Sequence, residues 1–115
     1  MKFSCTSRRV ADHVILTVAG DVDLAVHAAF QAALDEQWQG AENLVIDCSE
    51  ITFLDSMGLR VLVQALQTAT TNNHTFALAA PSAPVLRVLE LAGVQSLFPV
   101  VDSIPDDGDD SDGER

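Results

Sequence analysis

Apolar residues along this chain switch between two spacings, and the switches divide it into elements. The runs FSCTSRRVA (residues 3–11) and VILTVAG (residues 14–20) flank Asp12 and His13. The second run is dense in β-branched residues, which suit a pleated, packed surface, so the pair predicts a hairpin whose second strand ends at Gly20. Over residues 24–38, apolar side chains recur at Val26, Phe30, Ala33, Leu34 and Trp38. That is helical periodicity with one buried stripe, and Gly40 follows as a stop. NLVID (residues 43–47) is a short apolar run of the kind that forms a buried central strand.

The second half repeats the alternation. Leu59, Leu62, Val63, Leu66 and Ala69 again fall at helical spacing until Thr71, Asn72 and Asn73 break the pattern. TFALAA (residues 75–80) reads as another strand. Ser82 is placed to cap a third helix, with Pro84 early enough to be harmless, Val85, Leu86, Leu89 and Ala92 on one face, and Gly93 as the stop. FPVV (residues 98–101) reads as a last edge strand. Strands alternating with helices after an initial hairpin predict a single α/β domain, a mixed and partly parallel sheet covered by helices.

Composition narrows what such a domain does. The chain has 115 residues, 48% of them hydrophobic, which suits one compact core. No apolar stretch approaches the roughly 20 residues that span a bilayer, and the beginning lacks the apolar centre of a secretion signal, so a cytoplasmic protein without a membrane role is expected. The formal charge of −11, with six scattered Lys and Arg, argues against direct nucleic-acid binding, which needs clustered cations. Seven acids against one base in residues 102–115 leave a net −6 there and −5 for the remainder. PDDGDDSDGER (residues 105–115) has nothing apolar to offset its ordering entropy, so residues 1–104 are read as the domain and 105–115 as an acidic disordered tail. A calcium loop begun at Asp107 would need its glutamate ligand beyond Arg115, so the tail is no EF-hand.

Chemistry concentrates at FLDSMGLRVL (residues 53–62), where Asp55, Ser56 and Gly58 precede a helical pattern. Two readings of Ser56 stand side by side: a helix cap, or a hydroxyl on which another protein acts. The edge beyond the strand ends of an open α/β sheet is where ligands and partners are engaged, and a helix start favours a phosphate. Gly58, without a β-carbon, would let a backbone or a phosphate donor come close. Asp55 beside the hydroxyl could order a metal–nucleotide complex or a contact loop, and reads at least as well as a solvated loop acid. Asp23, after a strand-ending glycine and before the helix stripe, reads as an N-cap.

Enzymatic alternatives fail on spacing. A nucleophile elbow needs glycine where Leu54 stands. His13, His27 and His74 are dispersed, no phosphate-binding P-loop occurs, and neither a metal site nor a cofactor is expected. Cys5 and Cys48 form no C-x-x-C pair and read as reduced and buried; a redox role for them stays open. The chain is therefore read as not an enzyme.

GDVDLAVHAAF, NLVIDCSEITFLDSMGLRVLVQA and AAPSAPVLRVLELAGVQSLFPVVDS, in this order, resemble the anti-sigma-factor antagonists of bacteria, small proteins of the STAS domain family. The resemblance covers residues 3–103. It implies a protein phosphorylated on serine by an anti-sigma factor that is also a kinase, dephosphorylated by a PP2C-type phosphatase, and able to bind the anti-sigma factor only when unphosphorylated. A sigma factor is thereby released for transcription. The phosphoacceptor maps to Ser56, with Asp55, Met57 and Gly58 around it, and GDVD maps to the family's Gly-Glu-x-Asp turn, with Asp21 and Asp23 as further partner-binding positions. Asp21 shortens the usual glutamate, and Met57 replaces a small residue. The alternative is a STAS interaction module of another signalling complex, and a weak homodimer stays open.

Overall fold

The computed structural model describes residues 2–39 and 41–104. Its elements run β1 (Ser4–Val10), β2 (His13–Val22), α1 (His27–Trp38), β3 (Asn43–Leu54), α2 (Ser56–Thr71), β4 (Thr75–Ala79), α3 (Ala83–Ala92), a 3₁₀ turn (Gln95–Leu97) and β5 (Val100–Val101). The strands lie in sequence order in one sheet; β1 is antiparallel to β2, and every later pairing is parallel. Each parallel step moves one strand further in the same direction. Because such crossovers are right-handed, all three helices fall on one face.

That face holds the main core. Val14, Leu16 and Val18 of β2 and Leu44, Ile46 and Cys48 of β3 pack with Phe30 and Leu34 of α1, Leu62, Ala65 and Ala69 of α2, and Val85 and Leu89 of α3. The opposite face carries a smaller cluster of Val10, Ile15, Val45 and Ala79, against which Ile104 packs. Both faces of β3 are thus buried at its centre, as its continuous apolar run implies. No helix among the described residues is long and apolar enough to cross a membrane.

Three boundaries differ from those predicted. Gly20 does not end β2, which continues to Val22, and β3 does not stop at Asp47 but runs through CSEITFL to Leu54. The two strands stay paired across register shifts, from Thr17↔Asp47 to Ala19↔Glu50 and from Gly20↔Ile51 to Asp21↔Phe53. The buried Asp47 pins the first shift: its Oδ1 accepts the Ser49 N–H at 3.0 Å and the Ser49 hydroxyl at 2.7 Å, and its Oδ2 accepts the Thr17 hydroxyl at 3.3 Å. A bulge places two residues against one, so the polar Ser49 and Glu50 imitate a loop in the sequence. The third difference is α1, which begins at His27 because residues 24–26 form a turn.

The remaining elements sit where the pattern puts them, with Pro84 in the first turn of α3 and Gly93 left-handed at its end. The stop assigned to Gly40 and the tail at 105–115 lie outside the described residues.

Two glycines with positive φ separate backbone strain from collision. Gly20 (φ +91°) lies inside β2, and a β-carbon there would run into the Lys2 carbonyl, whereas one on Gly93 (φ +71°) would meet nothing within 4 Å. Gly93→Ala is expected to cost about 1–2 kcal/mol for the left-handed conformation alone. Gly20→Ala should cost more than that, because the beginning of the chain must also move. Denaturant unfolding of the two variants checks the order, and equal losses would contradict it.

Candidate functional site

The parallel strands β2 and β3 end together, with Val22 opposite Leu54, and that pairing positions the site. The next residue, Asp55, donates its backbone N–H to the Val22 carbonyl at 3.1 Å and turns the chain into α2. Its extended backbone (φ −101°, ψ −176°) makes it the N-cap, and its Oδ1 accepts the Gly58 N–H at 2.9 Å. Asp55 is therefore neither a solvated loop acid nor a bystander. It satisfies one of the donors that a helix start leaves unpaired.

This displaces the capping reading of Ser56. Ser56 is the first residue of α2, one position past the cap, and it is exposed. Its hydroxyl is not spent on the helix. Met57, half-buried, follows it and lines a cleft of about 510 Å³ between α1 and α2 with His27, Gln31, Asp35, Arg60 and Val61.

Gly58 permits one of the close approaches expected of it, that of the protein's own chain. It is buried, and a β-carbon on it would lie 2.6 Å from Leu54 Cδ1 and 2.8 Å from Val22 Cγ1. Its missing side chain lets the first turn of α2 seat on the ends of β2 and β3. The close approach seen is to the protein's own core, including the Val22 carbonyl, 3.3 Å from such a β-carbon.

Asp21 and Asp23 stand at the same edge but act separately. Asp21 Oδ1 accepts the Thr52 hydroxyl at 2.6 Å, and that bond holds the carboxyl below its ordinary pKa. The stabilisation is present above the ordinary carboxylate range and is lost as pH falls below that range through the carboxyl's own lowered pKa. Asp23 is not the N-cap of α1; Val26 holds that position without a side-chain bond. Asp23 instead shapes the preceding turn, its Oδ1 accepting the Ala25 N–H at 3.0 Å and its carbonyl accepting the Val26 N–H at 3.1 Å. Ser82 likewise holds the N-cap position of α3 but makes no capping bond, since its hydroxyl donates to the Ile51 carbonyl at 2.7 Å.

The edge also carries residues that periodicity did not single out. Leu24 is 63% exposed in the turn before α1, and Phe53 is 48% exposed opposite Asp21. Apolar side chains left in water beside a ring of acids suit the centre of a protein contact. Phe53 had a signal, since alternation back from the buried Leu54 points it away from the core, but only once β3 is known to reach Leu54 and to carry a register shift between Ile51 and Phe53.

The cysteines lie elsewhere and apart. Cys5 pairs with Val18 of β2, while Cys48 sits in β3 on the other side of that strand, so two strand spacings of nearly 5 Å each separate them, beyond disulfide reach. Both are free; burial pushes the half-buried Cys5 thiol to about 11, and burial with the neighbouring Asp47 charge pushes Cys48 to about 12. Thiols held protonated in this way are poor nucleophiles.

With this geometry in place, comparison with known proteins converges on one family. The profile of the STAS domain matches residues 5–106. The chain is 32% identical over 103 residues to the anti-sigma-F factor antagonist RsfB of Mycobacterium tuberculosis, covering 84% of this chain and 82% of that protein. Among solved structures, an anti-sigma factor antagonist from Mycobacterium paratuberculosis superposes with a TM-score of 0.81 at 22% identity, over 90% of this chain and 88% of the other. The Bacillus cell fate determinant SpoIIAA in its phosphorylated form superposes with a TM-score of 0.69 at 15% identity, over 92% and 96% of the two chains.

The division of labour between Asp55 and Ser56 is open to a direct check. Asp55→Ala should destabilise the protein by about 0.5–2 kcal/mol through loss of the cap, and Asp55→Asn should retain most of that. Ser56→Ala should stay within about 0.5 kcal/mol of the parent, as exposed substitutions do. Thermal or urea unfolding measures all three; a larger loss at Ser56 than at Asp55 would reverse the assignment.

Proposed function

The chain belongs to the STAS domain family, and from that premise we propose that it is an anti-sigma factor antagonist switched by phosphorylation of Ser56. The observation that carries this reading is the pairing of an exposed, uncommitted hydroxyl at the first residue of α2 with a cap supplied by its neighbour, Asp55. Modifying Ser56 does not remove the cap. In its unphosphorylated form the protein binds an anti-sigma factor with serine kinase activity, and a sigma factor is set free; the setting is the cytoplasm. The chain is substrate and binder in this cycle, and the catalysis belongs to its partners.

The cycle balances as two transfers. The kinase moves the γ-phosphoryl group of ATP to Ser56 Oγ, the bond to ADP breaks, and the hydroxyl proton goes to the kinase's base. A PP2C-type phosphatase then directs water at phosphorus, which releases inorganic phosphate and restores the hydroxyl. The relative named for antagonism of an anti-sigma-F factor and the phosphorylated SpoIIAA fold support the reading. Asp21, Asp23, Asp55 and Met57 stand at or beside the contact, while the buried Gly58 shapes it from beneath.

Magnitudes decide what the phosphate does. It adds about −1.5 to −2 charges at neutral pH, and near a helix start that charge is favourable by about 0.3–1 kcal/mol, so the fold tolerates it. At a close contact the same charge must be desolvated or matched, and leaving it unpaired costs several kcal/mol. The interface effect is the larger. Phosphorylation should weaken binding to the kinase by roughly two orders of magnitude, about 2.7 kcal/mol.

Incubation with the cognate anti-sigma kinase and ATP, followed by phosphosite mapping and titration calorimetry on both forms, tests the proposal. Ser56→Ala should resist phosphorylation and bind constitutively, and Ser56→Asp should bind poorly with its thermal midpoint nearly unchanged. Phosphate only at another residue, or equal affinity of the two forms, would contradict it; a STAS module serving a different complex would then be the better reading.

A further inference from the structure

We propose that Arg60 receives the phosphate placed on Ser56, closing an ion pair across the first turn of α2 and fixing the phosphate on the side of the cleft between α1 and α2. The proposal rests on the reading of Ser56 as phosphoacceptor and names the group that regulates its charge. Arg60 is four residues after Ser56 in a continuous helix and is the only basic residue of α2. Residues at i and i+4 are neighbours on a helix surface, and the order anion first, cation second is the favourable one. Helical side chains also lean toward the N-terminus, so a long side chain on residue 60 lies over the turn that holds residue 56.

The surroundings leave Arg60 for this task. It is exposed and lines the cleft beside Met57 and His27. Asp35 lines the same cleft, yet its Oδ1 already accepts the Gln31 amide at 3.0 Å. The Asp55 carboxylate is held by the Gly58 N–H, and Asp21 by the Thr52 hydroxyl. A guanidinium with no carboxylate among the described residues committed to it meets a phosphate in bidentate geometry, which lysine reproduces only as a point charge. Asp21, Asp23 and Asp55 make the same edge acidic, so besides the helix start a phosphate there finds in Arg60 the cation that offsets their repulsion. Phosphorylation then acts twice: it adds negative charge and withdraws the Arg60 cation from what a partner meets.

The test places phosphoserine at position 56 of the full chain during translation, without any kinase, and titrates the phosphate by ³¹P NMR. A phosphoserine second pKa is near 6, and a neighbouring cation lowers it by favouring the dianion. Arg60→Gln should raise that pKa by about 0.3 unit or more relative to the parent, the size expected of an i, i+4 pair. Arg60→Lys should restore part of the shift, and about 1 M salt should shrink the difference. Equal phosphate pKa values in the parent and Arg60→Gln, with both folded by circular dichroism, would overturn the pairing while leaving the kinase reaction untouched. Conversely, a kinase that ignores Ser56 would defeat the phosphorylation reading without altering this titration.

Discussion

The seat of the first turn of α2 on the paired ends of β2 and β3 is the constraint on which the functional edge depends. Asp55 donates to the Val22 carbonyl and caps Gly58, and Gly58 in turn fits against Val22 and Leu54 only because it lacks a β-carbon. Strand end, cap and helix start are thereby one rigid unit. Ser56 rides on that unit without contributing to it, which is the arrangement a reversible modification requires: the modified atom is fixed in space, and the fold does not depend on it. The extended pairing of β2 with β3 is what makes the unit possible. The bulge pinned by Asp47, together with the second register shift before Asp21, keeps the two strands paired as far as Val22 and Leu54, so no long loop precedes Ser56.

Electrostatics then divides the effects of a phosphate between fold and interface. On the domain, the charge meets the positive end of a helix and, at one turn's distance, Arg60, so the cost to stability is small or favourable. At a protein contact the same charge falls among Asp21, Asp23 and Asp55, beside the exposed Leu24 and Phe53 that a partner would cover. Dehydrating an anion there is costly. A partner that fits the unmodified edge must offer apolar surface to Leu24 and Phe53 and cations to the acids, and the phosphate spoils that match.

Much of this was legible in the sequence, and the failures share a cause. The helical stripes of α1, α2 and α3 follow a period that tolerates no interruption, so their buried faces were readable from Phe30, Leu34, Leu62, Ala69, Val85 and Leu89. The ends of β2 and β3 were not, because a bulge suspends the two-residue period and dresses a strand as a loop at Ser49 and Glu50. The same uncertainty spread to the site. With β3 ended at Asp47, Ser56 stands after an eight-residue connection and Asp55 looks like a loop acid; with β3 extended to Leu54, Asp55 must be the cap. The motif around Ser56 was visible through family resemblance, whereas the roles of Asp55 and Gly58 required the pairing of Val22 with Leu54. Asp23 and Ser82 show a further limit, since a residue of capping type beside a helix start can spend its side chain on a turn or a strand carbonyl instead.

The central claim is that phosphorylation changes the surface of this unit and leaves its cap in place. Amide hydrogen exchange at Gly58, followed by NMR on the unmodified chain and on the chain carrying phosphoserine at position 56, tests it most directly, because that N–H is the donor Asp55 holds and the one a phosphate would take if it competed for the helix start. Equal protection of the Gly58 amide in the two forms is expected, with shift changes strongest at residues 56 and 60. Loss of protection at Gly58 on phosphorylation would contradict the claim, since the phosphate would then be acting by dismantling the cap.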